Sequence, residues 1–246
     1  MFERLMSALV VGLPLGGLSA LILVPFVRDW SRRLMMQYAA SDALKANVSS
    51  HSLETKNCLD TLLVGGLCVC YVLAVLNWGV SWQALMAASY CATLQVLARI
   101  DAQTRLLPDL LTLPLLWVGL LFHWSGGWVE LDDAVAGAAA GYGVLWLIWA
   151  AFRGCSGRDG IGFGDLKLAA ANGAWLGVEA LPWALLAASL AACVAALFGR
   201  SSGRLKAFEA MAFGPYLAMG AILVLFCTQN SLSLLSFGAL TSLLAR

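Results

Sequence analysis

Long apolar runs joined by short polar stretches make up almost the whole chain. The runs do not alternate with a period of two. Uninterrupted segments of about 18 residues or more predict membrane-spanning helices. The pattern places them near 5–27, 61–78, 82–100, 110–124, 133–152, 165–179, 181–198 and 211–228. A β-barrel would show short alternating segments instead. The expected fold is therefore all-α, a polytopic helical membrane protein with about eight transmembrane helices. The apolar stretch within 232–245 is too short to be assigned a span. It is either a ninth helix, tilted or re-entrant, or an interfacial helix. The first run is longer than a signal-peptide core and lacks a small-residue cleavage site, so it is expected to stay as an anchor.

The polar joints set an orientation. Arg28, Arg32, Arg33, Lys45 and Lys56 fall in the first joint, and Arg99 and Arg105 flank the next basic one. Arg153 and Arg158 mark a third, and Arg200, Arg204 and Lys206 a fourth. The intervening joints carry no basic residue. Basic loops stay in the cytoplasm, which puts the N-terminus outside. Trp78, Trp82, Trp124 and Trp128 then lie near the outer ends, where an aromatic belt belongs. The first loop, of about 33 residues, is too small for a core of its own, although a short helix around 31–46 is expected there. The chain thus divides into 1–60, one transmembrane helix plus a short cytoplasmic loop, and 61–246, a membrane-embedded core.

Composition sharpens the picture. Of 246 residues, 61% are hydrophobic and 12% charged, against roughly 25% charged in soluble domains. A soluble globule is excluded on that ground. A net charge of +1 gives no sign of a nucleic-acid partner. The seven cysteines form no CxxC pair, which points to buried thiols acting as small apolar residues rather than a metal or disulfide framework.

Acids at membrane depth are costly and prompt a functional question. Most here lie in loops. Asp101, Asp109 and Asp165 do not, and all three fall on the cytoplasmic side. Asp109 follows Pro108 and opens a helix, where an acid suits the dipole. Asp101 ends the apolar run LQVLARI, near a helix C-terminus that disfavours negative charge; Arg99 or Arg105 is available to pair with it. Asp165 is placed to cap the helix beginning at Leu166. Gly162 and Gly164 remove side-chain bulk just before it, so that a substrate strand can approach. Two carboxylates brought close share one proton. One then acts as base toward water and the other as acid toward a carbonyl oxygen, which is aspartyl proteolysis. Helix dipoles assign the shared proton to Asp101 and leave Asp165 ionised.

Three segments carry a resemblance: IDAQTRLLPDLLTLPLLW from Ile100, GIGFGDLKLAAANGAWLG from Gly160, and FGPYLAMG from Phe213. In these the chain resembles the prepilin peptidases, the type IV leader peptidase family of GxGD aspartyl proteases, over roughly residues 60–228. The resemblance implies that Asp101 and Asp165 are the catalytic pair. It also implies cleavage of the short basic leader of prepilins or pseudopilins after a glycine, at the cytoplasmic face of a bacterial inner membrane. Gly162, Gly164, Asp109 and Lys167 are carried over as supporting or substrate-binding residues. Lys167 is expected to point away from Asp165 or to reach lipid phosphates, without a catalytic role. Many bacterial relatives have a longer first loop with two CxxC pairs, associated with zinc and with N-methylation by S-adenosylmethionine. Here that loop holds only Cys58 and a lone His51, so no metal is expected. S-adenosylmethionine is expected only if methylation is retained. The competing class is a transporter or channel with the acids as proton or cation sites. It wants acids at the midplane, whereas these sit at one face.

Overall fold

The computed structural model describes residues 53–157, 162–201 and 212–229, with side chains from Leu63 onward, together with Gly160 and parts of 6–33. Among the described residues every regular element is helical. The expected helix at 31–46 and the apolar stretch at 232–245 lie outside them. The chain forms two compact units, Met1–Leu106 and Leu107–Arg246.

In the first unit a short π-helical stretch, Ala8–Gly12, runs on as helix through 13–19 and packs on α1, Leu53–Trp78. Gly12 and Gly16 make the approach possible. A Cβ on either would lie within 2.9 Å of Val72 or 2.6 Å of Cys68 main-chain atoms. Small residues four apart are a usual means of close helix contact in lipid. The chain turns at Gly79, in the left-handed region at φ 68, and enters α2, Trp82–Thr104. Ser81 caps α2 by accepting a hydrogen bond from the Ala84 N–H at 3.2 Å. Leu63 and Leu67 of α1 pack with Ala92 of α2.

The second unit holds α3 (Asp109–Trp124), α4 (Leu131–Ser156), α5 (Phe163–Ser201) and α6 (Gly214–Gln229). The other three each pack against α5. Small residues line these contacts. Side chains at Gly137 or Gly141 of α4 would enter the backbone of Gly173 or Ala169, and one at Gly220 of α6 would meet Ala184. Trp175, fully buried on α5, lies against Gly119 of α3. It donates its indole N–H to the Leu115 carbonyl at 2.8 Å. Trp128 donates to the Trp175 carbonyl at 2.9 Å, and its ring lies 4.6 Å from that of Phe122, tilted by 59°. It is therefore turned inward, whereas the expected outer Trp124 is 74% exposed.

The predicted spans 165–179 and 181–198 correspond to the two helical segments of α5, which meet at a break at Gly177 with φ 78 and ψ 171. That conformation is open essentially to glycine alone, so the joint falls where the glycine is. Two helices among the described residues are long and apolar enough to cross a membrane, Leu131–Ser156 and Phe163–Gly199. Ala8–Ser19, Leu63–Trp78, Asp109–Trp124 and Gly214–Thr228 are shorter apolar helices. Large apolar side chains such as Trp117, Leu147, Leu190 and Phe198 point outward.

Candidate active site

Asp101 belongs to the first unit and is 5% exposed. The sequence put the end of its helix at residue 100, but α2 continues to Thr104, so the acid stands inside the last turn. Two hydrogen bonds finish that turn. The Arg105 N–H donates to the Asp101 carbonyl at 2.8 Å, and the Thr104 hydroxyl donates to the Ile100 carbonyl at 2.8 Å. Arg105 takes the left-handed conformation at φ 54, uncommon for a residue with a Cβ. The carboxylate of Asp101 thus sits at the negative end of the helix dipole.

Asp165 belongs to the second unit, in the first turn of α5, and is 9% exposed. Its N–H donates to the Gly162 carbonyl at 3.0 Å. This is the positive end of a helix, which favours a carboxylate. Positive φ occurs at neither Gly162 nor Gly164, so both act through missing bulk. They do so differently. A Cβ on Gly162 would meet only the Asp165 carboxylate oxygen Oδ2, at 3.4 Å. A Cβ on Gly164 would lie 2.8 Å from the Cβ of Leu107. Gly162 leaves room beside the acid, while Gly164 lets Leu107 pack onto the start of α5.

Asp109 opens α3 after the extended Pro108, as the dipole reading expected. Lys167 has a partner that the sequence did not show. Its ammonium lies 2.7 Å from each carboxylate oxygen of Asp109, so that α5 reaches across to α3. The two side chains are 34% and 55% exposed, and a pair so placed contributes about 0–1 kcal/mol to stability. Neither residue alone signals the contact. It arises because α3 and α5 begin side by side.

Asn172 was not singled out in the sequence. It is buried on α5, seven residues beyond Asp165 and hence on the same helical face. Its amide donates to the Leu217 carbonyl at 3.4 Å, just past Gly214 and Pro215 at the opening of α6. A polar residue inside the apolar run was the available signal. At the other end of the loop before α5, the exposed Phe163 packs on Trp149 with ring centroids 5.1 Å apart. The Arg153 guanidinium lies 5.2 Å from the Trp149 ring centre, a cation–π arrangement.

Among the described residues no three His, Cys, Asp or Glu side chains converge as a metal site. His51 and the side chain of Cys58 lie outside them.

Residues 88–198, a stretch that contains Asp101, Asp109, Asp165 and Lys167, match the type IV leader peptidase family. Similar proteins named prepilin leader peptidase/N-methyltransferase occur in several bacteria. The one from Dickeya chrysanthemi is 52% identical over 151 residues, covering 60% of this chain and 53% of the relative. That of Neisseria gonorrhoeae is 44% identical over 199 residues, covering 80% and 66%. That of Escherichia coli strain K12 is 47% identical over 135 residues, covering 54% and 59%. The chain thus spans about half the length of most of these relatives. No solved structure matches it.

Proposed function

The chain matches the type IV leader peptidase family over residues 88–198, and from that match we propose that it is a membrane aspartyl endopeptidase that removes the leader of prepilins or pseudopilins. Asp101 and Asp165 form the catalytic pair, with Gly162 leaving space for the peptide and Asp109 and Lys167 in support. The observation that carries this reading is the setting of the acids inside the matched region. Both are buried, one in the last turn of a helix and the other in the first turn of another.

The chemistry follows from the two helix ends. Asp165, favoured as carboxylate, takes a proton from water as its oxygen bonds to the scissile carbonyl carbon. Asp101, favoured as the acid, gives its proton to the carbonyl oxygen. Collapse of the tetrahedral species breaks the C–N bond: the departing nitrogen takes up the proton held by Asp165, and one hydroxyl of the diol returns its proton to Asp101 as the carbonyl re-forms. Burial of both acids strengthens these transfers by excluding water. No step requires a metal.

About eight transmembrane helices, an external N-terminus and an active site at the cytoplasmic face of a bacterial inner membrane complete the proposal. The outward apolar side chains and the basic joints support it. The names of the relatives also include N-methyltransferase, so methylation of the new N-terminus with S-adenosylmethionine is a second activity to test. The described residues show no strand with a glycine-rich turn that would hold the adenosyl group, and the cleavage steps do not involve it.

The test is direct. Purified protein in detergent is incubated with a prepilin, in parallel with Asp101→Asn and Asp165→Asn. Both variants should insert and fold yet release no leader. Cleavage by either at the parent rate overturns the assignment. The mass of the product reads out an added methyl group.

A further inference from the structure

Lys167 lies two residues past Asp165, which on a helix turns it to a different side. It therefore cannot act as the neighbour of that acid. It instead directs its ammonium to both oxygens of Asp109. One turn away, Leu107 fills the space left by Gly164. We infer that the Asp109–Lys167 pair is a positioning clamp: with the Leu107–Gly164 contact, it fixes the start of α3 to the start of α5. Asp165 stands in the first turn of α5, so a shift at this clamp is a shift of the turn that carries that acid.

Three other roles fit less well. A pair this exposed is too weak to hold the fold. A docking point for a basic leader would need a free carboxylate, and both Asp109 oxygens face the lysine. A proton-transfer role would need Lys167 on the side of Asp165. What remains is geometry, and catalytic geometry is sensitive: misplacement by about 1 Å can cost about a hundredfold in rate.

The inference rests on the peptidase reading for its kinetic test. Asp109→Ala and Lys167→Ala should each lower kcat by about tenfold to a hundredfold with KM little changed. Lys167→Arg should keep most of the rate, and the charge-reversed double variant Asp109→Lys/Lys167→Asp should recover well above either single variant. Parent-like single variants, a rise in KM at constant kcat, or a reversed pair no better than the singles would each overturn the clamp. A second readout does not need cleavage. Amide exchange at Leu111 and Thr112, whose N–H groups donate to the Pro108 carbonyl, should quicken in the alanine variants and slow again in the reversed pair. Unchanged exchange also overturns it. If the parent protein does not cleave a prepilin, the peptidase reading fails, and exchange alone decides the clamp.

Discussion

A methyl group at Gly164 would have to enter space held by the Cβ of Leu107, 2.8 Å away, whereas one at Gly162 would touch only the Asp165 carboxylate at 3.4 Å. The two glycines of the GxGD segment should therefore respond differently to alanine. Gly164→Ala displaces Leu107 and should lower both thermal stability in detergent and cleavage, at a cost of about 1–3 kcal/mol. Gly162→Ala should unfold at the parent temperature yet cleave more slowly, because it crowds only the acid and the peptide beside it. Equal stability losses in the two would contradict this division. Residue types had marked both glycines as spacers. The neighbour that each one spares is visible only in three dimensions, and the same holds for Lys167, whose partner is 58 positions away in the chain.

Between helices, α4 and α5 meet backbone to backbone through Gly137, Gly141 and Gly173. Lipid tails are as apolar as a leucine, so close packing takes the part that water-driven burial plays elsewhere. Gly141→Leu should force the helices apart and cost about 1–3 kcal/mol or more, read as a lower unfolding temperature, while Gly143→Leu should not. Gly143 is on the same helix, and a Cβ there would have nothing within 4 Å. The positions of the helices were legible because apolar runs of this length have few other ways to satisfy their backbones. Their ends were less so. Residue 100 closes the apolar run, but α2 continues to Thr104 because hydrogen bonds, not hydropathy, end a helix. The joint within α5 belongs at Gly177, where only glycine adopts the required backbone.

Across the whole chain, the proposed orientation can be read with a thiol already present. Cys155, exposed in the last turn of α4, falls in a joint that the basic residues assign to the cytoplasm. A variant retaining only this cysteine should resist an impermeant maleimide added to intact cells and react in inverted membrane vesicles. Labelling from outside would reverse the proposed topology and with it the face at which the peptide is cut.

The order of residues was enough for the helical class, the candidate acids and the family resemblance, because apolar run length and the residues of the GxGD segment are local properties that survive without coordinates. Folding alone reveals which small residues bring helices together, that Trp128 turns inward, and that Asp109 and Lys167 face each other. Those depend on which helix faces meet, and a contact between distant positions leaves no mark in the residues on either side of it.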